Sequence, residues 1–295
     1  MNFKSNFLKH RNSFFLVILL FFSGVLLYAA DNVFFKHVDT LDGLSNNQIN
    51  AILKDQQGFM WFGTASGLNR WDGNHMKVFL SDSRNASSLP DNYVESIQEA
   101  RDGMLWINTS GGWVIYDPKT ESFDNEVGAT LVKMGIKGLP KNIRIDRNRN
   151  IWVNVKGEGV YYYKPAMKLM YEFAFSDQEG LPEGEICSLD ECHEGMVCCY
   201  TNGRMVCLDG ENKRIVWQED YITMNGGMHG DEYHAFADRK DNIWLWNTRS
   251  LFIYKKSANE WVNSLQQLAK EWGTSAPTLE DNRIRSIAQD PSGRL

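Results

Sequence analysis

Residues 54–72 read KDQQGFMWFGTASGLNRWD. Asp55 and Gly58 suit a tight hairpin, because an Asx side chain bonds nearby backbone N–H groups and glycine accepts positive φ. A short apolar strand follows around Trp61, then a second turn at Ser66-Gly67, then a strand that ends at Arg70-Trp71-Asp72. Working outward, four more segments line up on the same features: EARDGMLWINTSGGWVIYD (99–117), DRNRNIWVNVKGEGVYYY (146–163), CHEGMVCCYTNGRMVCLD (192–209) and DRKDNIWLWNTRSLFIYK (238–255). A sixth start, DPSGRL, occupies 290–295. The tryptophan recurs at 61, 106, 152 and 244, and the spacing gives its place in the fourth copy to Cys198, so the intervals are 45, 46, 46 and 46.

Each copy also has an apolar strand before its first turn (Ile49 to Leu53 in the first) and a short one at its end (Lys77 to Leu80). Four short strands in about 45 residues is the blade unit of a β-propeller. The expected fold is therefore all-β: blades of four antiparallel strands in an open, incomplete ring of five to six blades. The repeats fall near 46–80, 91–125, 140–173, 184–217 and 231–261, with a truncated one at 281–295. A tryptophan at a constant place is expected to pack between neighbouring sheets. Gly58, Trp61, Gly103, Trp106, Trp152 and Trp244 are accordingly read as structural. Trp261, Leu265, Leu268 and Trp272 recur at helical spacing, which predicts a short amphipathic helix over Glu260 to Trp272. Val33 to Val38 is expected to be a lone strand ahead of the first repeat, an unpaired edge.

Residues 1–30 differ from the rest. Lys4, Lys9 and Arg11 give a positive start without acidic residues, an apolar run extends from Phe14 to Leu27, and Tyr28-Ala29-Ala30 offers a small-residue exit. This is the order of a secretory signal, with an uncleaved N-terminal membrane anchor as the alternative. Either way residues 31–295 are expected to be exported and periplasmic. They hold 265 residues, or 5.8 periods of 46, which leaves an open edge through which copies of the chain can self-associate. The net charge is −6 and no basic run occurs, so no nucleic-acid partner is expected. Aromatic content of 13% with 10 tryptophans fits packed strands and argues against disorder.

All five cysteines (187, 192, 198, 199 and 207) lie within 21 residues, with His193 among them. No C-x-x-C spacing occurs, so they are read as small buried residues with room for one disulfide, and neither metal nor cofactor is expected. Propellers bind ligands at their loop faces and sugars stack on aromatics. Trp113, Trp217 and Trp246 lie off the repeated place and are the candidates for binding an oligosaccharide, with strand packing as the alternative for each. The competing functions are a glycosidase or lyase and a protein-binding scaffold. Asp55-x-x-Gly58-x-x-Trp61 has the spacing of the Asp-box of propeller sialidases. An Asp-box is structural, however, and no catalytic residue is assigned.

The phrases Asp42-Gly43-Leu44-Ser45-Asn46-Asn47, Gly58-Phe59-Met60-Trp61-Phe62-Gly63-Thr64 and Gly67-Leu68-Asn69-Arg70-Trp71-Asp72-Gly73 resemble the two-component regulator propeller. The second copy keeps the pattern well, the third and fifth lose the Gly-Thr after the tryptophan, and the fourth is degenerate. That resemblance implies the exported sensor of a Bacteroidetes-type hybrid two-component system. There a double propeller precedes a β-sandwich, a membrane span, a histidine kinase, a receiver and a DNA-binding domain, and senses breakdown products of complex glycans. No histidine of this chain stands in a kinase phosphoacceptor setting, so the chain itself is expected not to be an enzyme, and it resembles a truncated part of such a regulator.

Overall fold

The computed structural model describes residues 37–176, 180–201, 203–220, 232–247, 250–262, 284 and 286–289. Among the described residues twenty strands form five four-stranded antiparallel sheets, each built from strands consecutive in sequence. Blade one comprises β1 (Ile49–Lys54), β2 (Met60–Thr64), β3 (Gly67–Trp71) and β4 (Met76–Phe79); blade two comprises β5 (Val94–Glu99), β6 (Leu105–Thr109), β7 (Gly112–Asp117) and β8 (Ser122–Asp124). Blade three holds β9 (Pro140–Ile145), β10 (Ile151–Val155), β11 (Gly159–Lys164) and β12 (Leu169–Ala174). Blade four holds β13 (Ile186–Glu191), β14 (Met196–Tyr200), β15 (Arg204–Asp209) and β16 (Arg214–Asp220); blade five holds β17 (His234–Ala237), β18 (Asn242–Trp246), β19 (Leu251–Lys255) and β20 (Glu260–Val262). First strands of successive blades lie against one another, β1 on β5, β5 on β9, β9 on β13 and β13 on β17, which is the radial order of propeller blades. The described sheets do not close into a ring.

The hairpin between the first two strands sets each blade. In blades one, three and five an aspartate opens a five-residue loop and accepts from the indole of the tryptophan six residues on. The bonds are Trp61 Nε1 to Asp55 Oδ2 (2.7 Å), Trp152 Nε1 to Asp146 Oδ2 (3.1 Å) and Trp244 Nε1 to Asp238 Oδ2 (3.0 Å). The other carboxylate oxygen accepts from loop amides, for example those of Gln57 and Phe59 in blade one. The fourth loop residue is left-handed in every five-residue hairpin: Gly58 at φ 95°, Gly103 at 83°, Arg149 at 62° and Asp241 at 62°. Glycine takes that conformation without a Cβ penalty, which suits Gly58 and Gly103 to the place, while Arg149 and Asp241 adopt it as non-glycine residues.

Packing between sheets supplies the core. Trp61 and Leu68 face Ile97, Leu105, Ile107 and Tyr116 of blade two, with the Trp61 and Tyr116 rings 5.3 Å apart. Trp106 faces Ile143, Val153 and Tyr161 of blade three, and Trp152 faces Leu189, Met196 and Tyr200 of blade four. Trp244 packs with Ile253 and Val262, and Ile287 of the sixth repeat covers them. The third residue from the end of each first strand receives the preceding blade. Ile97, Ile143, Leu189 and Ala235 are 7, 3, 5 and 4% exposed there, whereas Ile52 of blade one is 60% exposed, since no sheet precedes it among the described residues.

Polar links tie each blade to the next. Gln56 N–H, next to Asp55, donates to Glu99 Oε1 (3.1 Å), Arg147 N–H to Glu191 Oε1 (3.1 Å), and Arg239 N–H to Gln289 Oε1 (2.9 Å). Glu99 is buried and also meets Arg149 Nη1 at 2.9 Å, so its charge is paired. The Gln98 amide donates to Ile143 O and accepts from Ile145 N–H.

Blade four corrects one expectation. Its hairpin pairs Glu191 with Met196, leaving a four-residue loop where blades one, two, three and five have five. The strand after it is therefore advanced by one residue, and Val197, not Cys198, takes the tryptophan's place. Val197 and Cys199 face blade five, and Cys198 faces blade three. A second correction concerns Glu260 to Trp272: Glu260–Val262 is strand β20, paired with β19, and 263–272 lie outside the described residues. Trp261 follows Tyr254 across the strand pair, and strand pairing overrides helical spacing there. One helix was not foreseen: α1 (Val127–Lys133) fills the connector from blade two to blade three and buries Val127 and Leu131 beside Trp106. The expected leader at 1–30 and most of the lone strand Val33 to Val38 lie outside the described residues; His37 and Val38 are not in a strand. No helix among the described residues is long and apolar enough to cross a membrane.

Two predictions follow from these links. Trp106→Ala is expected to lower stability by roughly 3–5 kcal/mol, the scale of large aromatic truncation in a core, read from the urea midpoint at unchanged slope. Glu121, at the outer edge of blade two, bonds Lys77 and pairs with Arg70 of blade one. The bond from Lys77, with the charges of Lys77 and Arg70, holds its carboxyl below the usual range. A depressed carboxylate stabilises above its unfolded pKa, and that stability is lost as pH falls through the folded value. The thermal midpoints of the parent and Glu121→Gln are therefore expected to differ at neutral pH and to converge below about pH 4.

Candidate functional site

The three tryptophans singled out in the sequence sit on three different blades and do not converge. Trp113, second residue of β7, takes the place held by Leu68, Val160 and Met205 in blades one, three and four, and packs towards blade three. Trp246 ends β18 and is buried beside His234, ring centroids 5.7 Å apart. The indole N–H groups of both are buried without a partner among the described residues. Strand packing accounts for their positions.

Trp217 is different. It lies in β16, the outer edge strand of blade four, and is half-buried. Its Nε1 donates to Glu194 Oε2 (2.9 Å), which also pairs with Lys256, and its ring lies 6.3 Å from that of Tyr254 in blade five. It lines an open trough of about 830 Å³, whose wall is Ile215 to Asp220 with Arg204 from β15, and whose rim is Ser176, Gly180, Pro182 and Glu183 from the connector into blade four. The register sets Arg204 opposite Asp220 and Met205 opposite Glu219, which brings a guanidinium and two carboxylates to the same end of the sheet. Tyr254 Oη lies 2.6 Å from Asn259 Oδ1 and 3.2 Å from Glu219 Oε1; burial, together with the Glu219 carboxylate, pushes the phenol up to about 12, so it remains a donor at neutral pH. Trp217 and Glu219 are turned towards blade five and Arg204, Gln218 and Asp220 towards the other side of the sheet, so the trough wraps the edge, with an aromatic ring on one flank and a guanidinium, an amide and a carboxylate on the other. Of these residues only Trp217 stood out in the sequence. The others became legible once β16 was known to be an edge strand with an open side.

Among the described residues no three His, Cys, Asp or Glu side chains are arranged to hold a metal ion. All five cysteines are buried and free. His193 Nδ1 instead meets Asp241 Oδ1 of the blade-five hairpin at 3.0 Å.

With hairpin, indole clamp and blade order in view, comparison with known proteins assigns the repeat. Residues 43–66 and 88–111 match the family described as two component regulator propeller. The chain is similar to that family over these two stretches, which lie in blades one and two. The two matched stretches each contain the recurrent tryptophan, Trp61 and Trp106, with the first strand and the turn that precede it. A curated relative, histidine kinase P4 of Formosa agariphila, is 36% identical over 76 residues, covering 25% of this chain and 6% of that protein. Among solved structures, the extracellular domain of a putative hybrid two-component system from B. thetaiotaomicron superposes with a TM-score of 0.59 at 20% identity, covering 88% of this chain and 39% of that one. PorZ, a surface component of the type-IX secretion system of Porphyromonas gingivalis, gives 0.50 at 14% identity, covering 81% and 36%. The chain thus spans less than two fifths of each relative, and the structural likeness bears on the propeller fold alone.

Proposed function

We propose that this chain is the exported, ligand-receiving part of a hybrid two-component regulator, and that its ligand is an oligosaccharide released from a complex glycan. The observation that carries the reading is the trough that wraps the outer edge of blade four, with Trp217 and Glu219 on one flank and Arg204 and Asp220 on the other. Sugars present one apolar face and a rim of hydroxyls. A half-buried indole stacks on the face, while charged and amide groups at hydrogen-bond range select the hydroxyls. The regulator propeller repeats and the local similarity to a histidine kinase support the sensory role. The charged start and apolar run of residues 1–30 support export, as does the extracellular origin of the structural relative. In this reading the chain binds and does not turn over its ligand. A glycan microarray probed with the whole chain tests it, alongside a panel of chromogenic glycosides. Binding of one oligosaccharide class is expected, with Trp217→Ala and Arg204→Ala each weakening it at least tenfold, about 1.4 kcal/mol, and no glycoside cleaved. Binding untouched by both substitutions, or hydrolysis of a glycoside, would overturn the reading.

A further inference from the structure

We propose that Cys192 and Cys207 join as a disulfide that clamps the first hairpin of blade four to its third strand. Their Sγ atoms lie 3.4 Å apart, and both side chains are buried in the cluster between blades four and five. The place of each residue gives the pair its meaning. In blades one, three and five the first loop residue is the aspartate that holds the indole of the second strand. In blade four that first loop residue is Cys192, and the indole's place is taken by Val197, so both ends of the usual clamp are missing. Cys207 is the cross-strand partner of Val197. The two thiols therefore meet where the carboxylate and indole meet in the other blades, and a covalent bond there restores the tie.

The remaining cysteines are placed otherwise. Cys187 Sγ lies 3.1 Å from Cys199 O and 3.4 Å from Tyr233 O, and Cys198 points to the opposite side of the sheet, towards blade three. Disulfides persist in exported proteins, so the inference rests on the exported location proposed above. The oxidant is a disulfide-bearing thiol-exchange partner. One protein thiolate attacks a sulfur of that disulfide and expels a thiol. The second then attacks the mixed disulfide, forms the Cys192–Cys207 bond and expels the other thiol. Two electrons pass to the oxidant, and the two thiol protons end on its two released thiols. Tyr233, Ala235 and Leu245 of the blade-five side cover the pair in the folded chain, so the exchange precedes the docking of blade five on blade four.

The test uses the whole chain, reduced and unfolded, then refolded with oxidised and reduced glutathione. Free thiols are alkylated in denaturant and the chain is cut after Lys, Arg and Glu, which separates Cys187, Cys192, Cys198 with Cys199, and Cys207. The expected result is three of the five thiols alkylated and the Cys192 and Cys207 peptides joined until reductant is added. The thermal midpoint of the oxidised parent should fall on reduction, while that of Cys192→Ser or Cys207→Ser stays put. Five alkylated thiols after oxidative refolding, or a join between any other pair, overturns the clamp; the peptide map needs no variant to fold. Acid-trapped cells provide the separate reading of location: the joined peptide in vitro with free thiols in cells upholds the clamp and overturns export.

Discussion

No described sheet of this protein has a core of its own. Each is a single layer of four short strands, and a single layer can bury its apolar faces only against another. The tryptophan face of one blade must therefore meet the aliphatic face of the next, and the other features of the repeat serve that meeting. The aspartate aims the indole, the left-handed fourth loop residue lets the hairpin close under it, Gln56 and Arg147 reach with their amides to the end of the neighbour's first strand, and Arg239 reaches Gln289. Gly63 shows how close the approach is: a Cβ there would stand 2.5 Å from Val94 Cγ1 of blade two. Ile52 shows the same constraint from the other side, an aliphatic residue of interior type left facing outward.

The blade architecture was legible because its signals are local. Two or more of Asp, Gly and Trp at fixed offsets announce a hairpin in four copies, and their common period, kept by the fifth, announces a propeller. The residues that escaped are those whose role depends on something the period conceals. Cys198 kept the spacing of a tryptophan but lost the role, because one residue is absent from the loop before it. Glu260–Val262 carried helical spacing yet pairs as a strand, since Tyr254 and Trp261 answer each other across the sheet. Helix α1 has only Val127 and Leu131 as apolar anchors, too few to stand out among connectors.

The candidate site was less legible than the fold, and for a physical reason. Tryptophan is used here chiefly to fill the space between layers, so an extra one is more often additional filling than a ligand contact. Trp113 and Trp246 are of that kind. Trp217 escapes it because its strand is the outer edge of a sheet, with a sheet partner on one side only. Edge position is a property of topology, and Arg204, Glu219 and Asp220 gain their relevance from the same fact.

The four-residue hairpin of blade four says something about how such a repeat can change over time. Alternate residues of a strand point to opposite sides, so losing one loop residue exchanges inside neighbour for outside neighbour along the strand that follows. Point substitution cannot undo that exchange: an indole at position 198 would be driven into blade three rather than towards blade five. Only an insertion returns the old assignment. Until then the positions on β14 are held to new partners, and the residues that suit them are small ones such as Val197, Cys198 and Cys199, which fit between layers from either side. A blade that reads as degenerate is in this case a blade that has crossed to a different set of neighbours and been refilled to suit them.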